Sequence, residues 1–252
     1  MLHMFYLRGP KRFAFTEVHL AAIMTAHDNG GFQKIVLHED TCGDTWAYEE
    51  ARKLPYVEFR KTEFPTEING HRVSDQRLPV DYVRLQTLVV EGGVAADMDF
   101  IFLRDFTPLL SHEGFIGTQC KQKKKLACGL MYSRVPQNPF FIAYLEAYKN
   151  WQPTHEKKFW TFANSIPYEL SEKHPIEVLP VKAFYPVAWS NKTFLEGGDI
   201  KISDSYAVHL WGHLKPALLL EDLKKTVISG FLPVLKERSR PSKQQGVTLT
   251  FD

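Results

Sequence analysis

What this chain lacks narrows its biology before any motif is considered. Three cysteines in 252 residues are too few, and too oddly numbered, for a disulfide framework, and Cys42, Cys120 and Cys128 show no zinc-ligand spacing. A reducing compartment suits them. No run of roughly eighteen apolar residues exists to cross a bilayer. The start, MLHMFYLRGPKRF, places its apolar stretch before its basic residues, the reverse of a secretory signal. The expected location is therefore cytoplasmic, with no transmembrane segment. Charge of one sign is also missing: a formal net charge of +2 gives no general attraction for nucleic acid, which is not an expected partner. Neither an internal repeat nor a linker rich in Gly, Ser or Pro divides the chain. With 44% hydrophobic residues it is read as one domain over 1–237 and a polar tail over 238–252.

What is present alternates between strand and helix. Leu2 to Leu7 reads as a buried strand, Arg8-Gly9-Pro10 as a turn, and Thr16 as the cap of a helix ending at Asn29-Gly30-Gly31. Lys34 to His38 is a second strand. Strand, helix, strand in that order predicts a parallel pair whose ligands gather beyond the strand carboxyl ends, where Arg8 and His38 would lie. A helix around Trp46 to Lys53 and a strand at Tyr56 to Phe59 continue the alternation, so the fold class is α/β. Further on, Gly114 to Gln119 and Ala127 to Ser133 read as strands joined by the basic loop KQKKK, and Asn138 to Trp151 as a helix. Helix is expected at Lys157 to Asn164, irregular chain through VLPVKAFYPVAWSN, strand at Ser205 to Trp211, and amphipathic helix at Glu221 to Leu235.

The chemistry is concentrated between Val80 and Asp105, VDYVRLQTLVVEGGVAADMDFIFLRD. An apolar helix from Pro79 to Glu91 stops at Gly92 or Gly93, and a short strand, Val94 to Ala96, leads to Asp97 and Asp99. Carboxylates two apart on a continuing strand point to opposite faces. Both serve one site only if the backbone leaves the strand between them, as it does in a strand-end metal loop. A hard divalent cation held by one or two carboxylates, with substrate phosphates completing its shell, is a common arrangement for diphosphate substrates. The plain alternative is an exposed acidic turn. Asp81 and Arg84 lie one helical turn apart, close enough for a surface ion pair, but their helix is too apolar to be a solvated face, so the pair is expected to point into a polar site. His209, between Val208 and Leu210, would face opposite to them in a strand and can offer a neutral imidazole to a metal. His213 competes for that role, and Trp211 reads as core or a sugar platform.

Set out as D-x-x-R, helix and turn, then G-G-V-x-x-D-x-D, this segment resembles the DXD-motif glycosyltransferases of the GT-A fold. The likeness is to Och-type mannosyltransferases and to bacterial capsular and toxin sugar transferases, with Asp81, Arg84, Gly92, Gly93, Asp97 and Asp99 at the matching positions. The opening strand, the helix near HLAAIMTA and the strand KIVLHED look like the start of the same fold, and YAVHLWGH resembles the strand that brings a late histidine to the metal. The resemblance implies a GT-A-like, single Rossmann-like mixed sheet flanked by helices. It also implies a metal-dependent transferase that moves a hexose from a nucleoside-diphosphate sugar, UDP- or GDP-linked, to a hydroxyl of a glycan, lipid-linked or protein acceptor, with retention of configuration. In that reading Asp97 and Asp99 are the catalytic pair, and Asp99 and His209 hold Mn²⁺ or Mg²⁺. Tyr6, Leu7, Asp81, Arg84, Gly93 and Asp97 bind the donor. Relatives usually carry an aromatic residue where this chain has Ala95, and Ser where it has Val80. The residues Lys121 to Lys125 suit an anionic acceptor or a solvated hairpin tip. Two other classes stand beside the transferase: a non-catalytic glycan- or partner-binding protein of the same fold, and a haloacid-dehalogenase-type phosphatase. In the phosphatase, the first Asp of D-x-D would be the nucleophile, a motif normally continued by smaller residues than Phe100-Ile101.

Overall fold

The computed structural model describes residues 1–9, 13–120, 124–152, 159–187 and 204–211. The expected helix at Glu221 to Leu235, the tail from 238, His213 and most of the KQKKK loop lie outside these residues, as does the beginning of the helix expected from Lys157.

The first part of the chain is built as its alternation predicts. Strand β1 (Leu2–Tyr6), helix α1 (Glu17–Asp28), strand β2 (Ile35–Glu39), helix α2 (Trp46–Arg52) and strand β3 (Val57–Lys61) follow in order, and β1–β2 and β2–β3 pair in parallel. Thr16 caps α1 through a capping box in which His19 takes the place usually held by Glu or Gln: the Thr16 amide donates to His19 Nδ1 at 2.8 Å. A small antiparallel pair, β4 (Glu67–Ile68) and β5 (His71–Arg72), turns on Asn69-Gly70, both with positive φ. That hairpin carries a familiar Asn-Gly signal but is absent from the expectations above.

Helix α3 (Arg77–Glu91) has Pro79 in its first turn, where a missing N–H costs little, and ends at Gly92 with φ of 69°. Gly93 follows with φ of 83°, and a Cβ there would lie 3.1 Å from the Met1 carbonyl oxygen. Two left-handed residues in succession reverse the chain from α3 into β6 (Gly93–Ala96), which joins β1 in parallel. A short strand, β7 (Phe100–Phe102), then precedes a long antiparallel pair, β8 (Gly114–Cys120) and β9 (Lys125–Ser133), and β9 also pairs antiparallel with β6. Helix α4 (Pro139–Tyr148) is capped by Asn138, whose side chain accepts from the Phe140 amide at 3.0 Å.

The remaining elements are a π-helical turn at Thr161–Ser165, α5 (Ile166–Ser171), β10 (Glu177–Leu179), α6 (Val181–Phe184) and β11 (Ala207–His209). The segment expected to be irregular thus contains both a strand and a helical turn. Strand β10 adds in parallel to β8, and Pro180, which cannot donate to a ladder, ends it and caps α6. The main sheet has seven strands in the order β10-β8-β9-β6-β1-β2-β3, a mixed sheet, while β7 and β11 form a separate antiparallel pair. Both faces of the main sheet are covered. Leu2, Met4 and Tyr6 of β1 enter a core with α1 and α2, whereas Phe5 and Leu7 enter a second core with α3 and α4, the period-two alternation of a strand buried on both sides. Among the described residues no helix is long and apolar enough to cross a membrane.

Three buried or half-buried histidines are held neutral in this framework. His3 Nδ1 and His38 Nε2 are 3.0 Å apart in the core, and burial pulls their pKa values down to about 4 and about 3. His38 therefore serves the interior and not the strand-end rim. Burial likewise lowers His19 to about 4. Because the unfolded chain takes up protons near pH 6.5 and the native one does not, their contribution is full above that pH and is lost as pH falls toward 4. Asp81, raised by burial to about 6, and His209, raised by Asp99 against its burial, work in the opposite sense but are two groups against three. The urea midpoint is expected to fall between pH 7 and pH 4.5, and His3→Phe to flatten that slope. A midpoint that rises on acidification contradicts this account.

Candidate active site

Strand β6 ends at Ala96, and its neighbour β9 receives the next amide: Asp97 N–H donates to the Gly129 carbonyl at 2.8 Å. The chain then turns through Met98 and Asp99 before β7 begins, so the two carboxylates escape strand alternation and converge. β11 pairs with β7, placing His209 opposite Phe100, and Leu210 N–H donates to the Asp99 carbonyl at 2.9 Å. His209 Nε2 consequently lies 3.0 Å from Asp99 Oδ1 and 3.7 Å from Asp97 Oδ2. One ligand atom from each of Asp97, Asp99 and His209 falls within 4.8 Å of the others.

Beneath them sits a buried ion pair network. Arg84 is 1% exposed, and its guanidinium donates to Asp81 Oδ1 at 2.8 Å, to the Cys128 carbonyl at 2.9 Å and, through Nη2, to Asp97 Oδ1. Asp81 and Arg84 were expected to face the ribose and sugar. Instead both are enclosed, and Arg84 reaches the site only by holding Asp97. Burial raises Asp81 to about 6 against the pull of Arg84, and the negative charge of Asp97 adds to the rise. For His209 burial lowers the pKa, but the charge and hydrogen bond of Asp99 outweigh it, so the imidazole holds a proton above its ordinary range.

Three carboxylates thus surround one guanidinium and one imidazole. With His209 neutral the cluster carries excess negative charge, and its two oxygen donors and one nitrogen donor form a set that a divalent cation accepts. Among the described residues His209 Nδ1 is buried without a hydrogen-bond partner, so the ring is set by its Nε2 contacts and by packing against Phe100 and Trp211. The residues present fit a cation.

Other expected site residues are placed less directly. Tyr6 is buried at the end of β1 with its hydroxyl donating to the Phe13 carbonyl at 2.9 Å, and the Leu7 side chain is buried in the second core, so both can offer a ligand backbone rather than side chain. Arg8 is committed to Thr41 Oγ1 and to the Cys42 carbonyl, clamping the loop after β2. Gly93 stands at the far, amino end of β6 beside Met1 and His3, and the structure does not bring it to the cluster. Trp211 donates from Nε1 to the Val187 carbonyl at 2.9 Å and packs in the core. Three neighbours escaped sequence reasoning. His19, within the electrostatic reach of Asp99, looks in sequence like any helix-start residue. Gly129 is required because a Cβ there would lie 2.7 Å from Asp97 Oδ2, and Tyr185 borders the same space. Neither has a local signal, since strand pairing alone brings them to Asp97.

Residues 20–116 match the family described as the glycosyltransferase sugar-binding region containing the DXD motif. A curated relative, glucan organizing enzyme 1 of Cryptococcus neoformans var. grubii, is 23% identical over 175 residues, covering 64% of this chain and 47% of its own length. The chain therefore spans about half of that relative. Among solved structures, the bifunctional glycosyltransferase WbbM in its apo form superimposes with a TM-score of 0.52 at 12% identity, covering 93% of this chain and 51% of WbbM. The PaToxG glycosyltransferase gives a TM-score of 0.48 at 17% identity over 68% of this chain and 67% of its own. Part of the chain thus resembles the DXD-containing sugar-binding region of glycosyltransferases, and its architecture is GT-A-like.

The buried network makes a direct prediction. Arg84→Met removes the only cation bonded to Asp81 among the described residues and leaves a carboxylate buried without that countercharge, which should cost about 3–5 kcal/mol in urea unfolding at pH 7. A loss below about 1 kcal/mol would show that Asp81 is compensated from elsewhere.

Proposed function

We propose that this protein is a metal-dependent glycosyltransferase that moves a hexose from a UDP- or GDP-linked sugar to an acceptor hydroxyl with retention of configuration. The observation that carries this reading is the convergence of Asp97, Asp99 and His209 at the carboxyl end of β6, beside β1. Ligands of open α/β sheets collect at such strand ends. Asp99 and His209 would hold the cation, and the mixed oxygen and nitrogen set favours Mn²⁺ over Mg²⁺, which prefers oxygen alone. When bound, a divalent cation offsets the charge that develops on a departing nucleoside diphosphate.

The chain's own residues do the rest. Asp97, held at Oδ1 by Arg84, presents its other oxygen toward the ribose or transferred sugar. Asp81 and the Cys128 carbonyl fix the guanidinium so that Asp97 keeps one orientation before the donor arrives, which is the preorganisation that catalysis requires. The backbone at Tyr6 and Leu7 receives the nucleotide base. Among the described residues no side chain beside the cluster stands out as a covalent nucleophile, so retention is assigned to departure and attack on one face of the sugar, with the leaving phosphate accepting the acceptor's proton. The acceptor is a glycan, lipid-linked or protein hydroxyl.

Calorimetric titration with UDP and with GDP, each with and without Mn²⁺, tests this reading. One nucleotide should bind only with the metal, and Asp99→Asn should weaken that binding by about a hundredfold, the scale of a lost metal contribution of several kcal/mol. Binding indifferent to metal, or equal in the variant, favours a non-catalytic ligand-binding role for the same fold. Where turnover is found, NMR of the product should show the donor's anomeric configuration, and an inverted product removes the retaining mechanism.

A further inference from the structure

Tyr185 presents an unexplained buried hydroxyl. The residue is 2% exposed, follows α6, and is wedged edge-on against Phe100 and His209, with ring centroids 5.7 Å from each. Its ring fills the space over Gly117, where a Cβ would come within 2.8 Å of it, so the phenol cannot swing that way without displacing β8. Among the described residues the hydroxyl has no hydrogen-bond partner of normal geometry, although the Leu130 amide approaches the oxygen as a donor. A phenol oxygen approached by a donor directs its own proton elsewhere.

Elsewhere is the acid cluster. The space left by the absent side chain of Gly129 is bordered by two oxygens: a Cβ there would lie 3.2 Å from the Tyr185 hydroxyl and 2.7 Å from Asp97 Oδ2. Asp97 Oδ1 receives Arg84, and Oδ2, which lies 3.7 Å from His209 Nε2, is the oxygen that borders this space.

We propose that Tyr185 is a positioning residue of the site, its phenol O–H directed at Asp97 Oδ2 so that Arg84 and Tyr185 hold the carboxylate from both oxygens while the cation and donor are bound. This rests on the metal-dependent reading above. A hydroxyl kept dry and unpartnered is a burden on folding, and removing it from a purely structural position leaves stability unchanged or raised. A donor that orients a carboxylate beside a metal has the opposite signature: its loss typically weakens metal binding ten- to a hundredfold without touching the ligands themselves.

Tyr185→Phe separates the two, since it keeps the ring packing and deletes one oxygen. Mn²⁺ affinity of the full chain, measured by electron paramagnetic resonance of the free ion without nucleotide, should fall about tenfold, while the thermal midpoint without metal stays equal or rises. Unchanged Mn²⁺ affinity overturns the proposal, and so does a clear drop in the metal-free midpoint, which would mean that the hydroxyl has a structural partner. Gly129→Ala, which fills the shared space, should weaken Mn²⁺ binding in the same direction. Wild-type protein that binds no Mn²⁺ overturns this proposal together with the functional reading, an outcome distinct from a variant that merely matches wild type.

Discussion

The site depends on one guanidinium. Arg84 lies where helix α3, strand β9 and the end of β6 meet, and it is bonded to a group from each: Asp81, the Cys128 carbonyl and Asp97. A buried pair of this kind is rarely a net source of stability, because taking the charges out of water costs about what their attraction returns. Its effect is geometric. The planar fork accepts few arrangements, so the helix, the strand and the carboxylate are held in one mutual register. Phe5 covers the cation from β1, with its ring centroid 5.7 Å away, and completes the enclosure.

The topology explains why the carboxylates gather where they do. Strand β6 has a parallel neighbour, β1, on one side and an antiparallel neighbour, β9, on the other. At its carboxyl end the chain on the β1 side runs on to Tyr6 and Leu7, while on the β9 side the backbone approaches from the opposite direction with Gly129 at the level of Asp97. A glycine at that level lets the backbone pass close to a carboxylate that any larger residue would push aside.

Much of this was legible in the sequence, and the limits follow one physical line. Alternating strands and helices up to β3, the glycine stop after α3 and the turn at Asp97 and Asp99 are local features with local signals, and they stand where expected. His209 was readable as well, because its inward position follows from strand alternation around Val208 and Leu210. The burial of Arg84 was half legible: an apolar helix announced that the pair would not face solvent, but not that its partner was a carboxylate beyond the helix. Tyr185 and Gly129 were not legible at all, since β9 and the segment after β10 reach Asp97 only through long-range pairing that leaves no periodicity in the chain. The strand and helical turn within the segment read as irregular failed for a related reason. Elements of three and four residues take their shape from the structure they pack against rather than from their own propensities.

The pairing of β11 with β7 also sets an order of events during synthesis. His209 lies 110 positions after Asp99. Once the ribosome has released the chain through β9, the carboxylates and the groups that hold Arg84 are all present, yet the imidazole that completes the set emerges on the order of ten seconds later. For that interval the edge of β7 that pairs with β11 has no strand beside it. Closing that edge and bringing the imidazole to the carboxylates are one step, because His209 lies on the strand that pairs with β7.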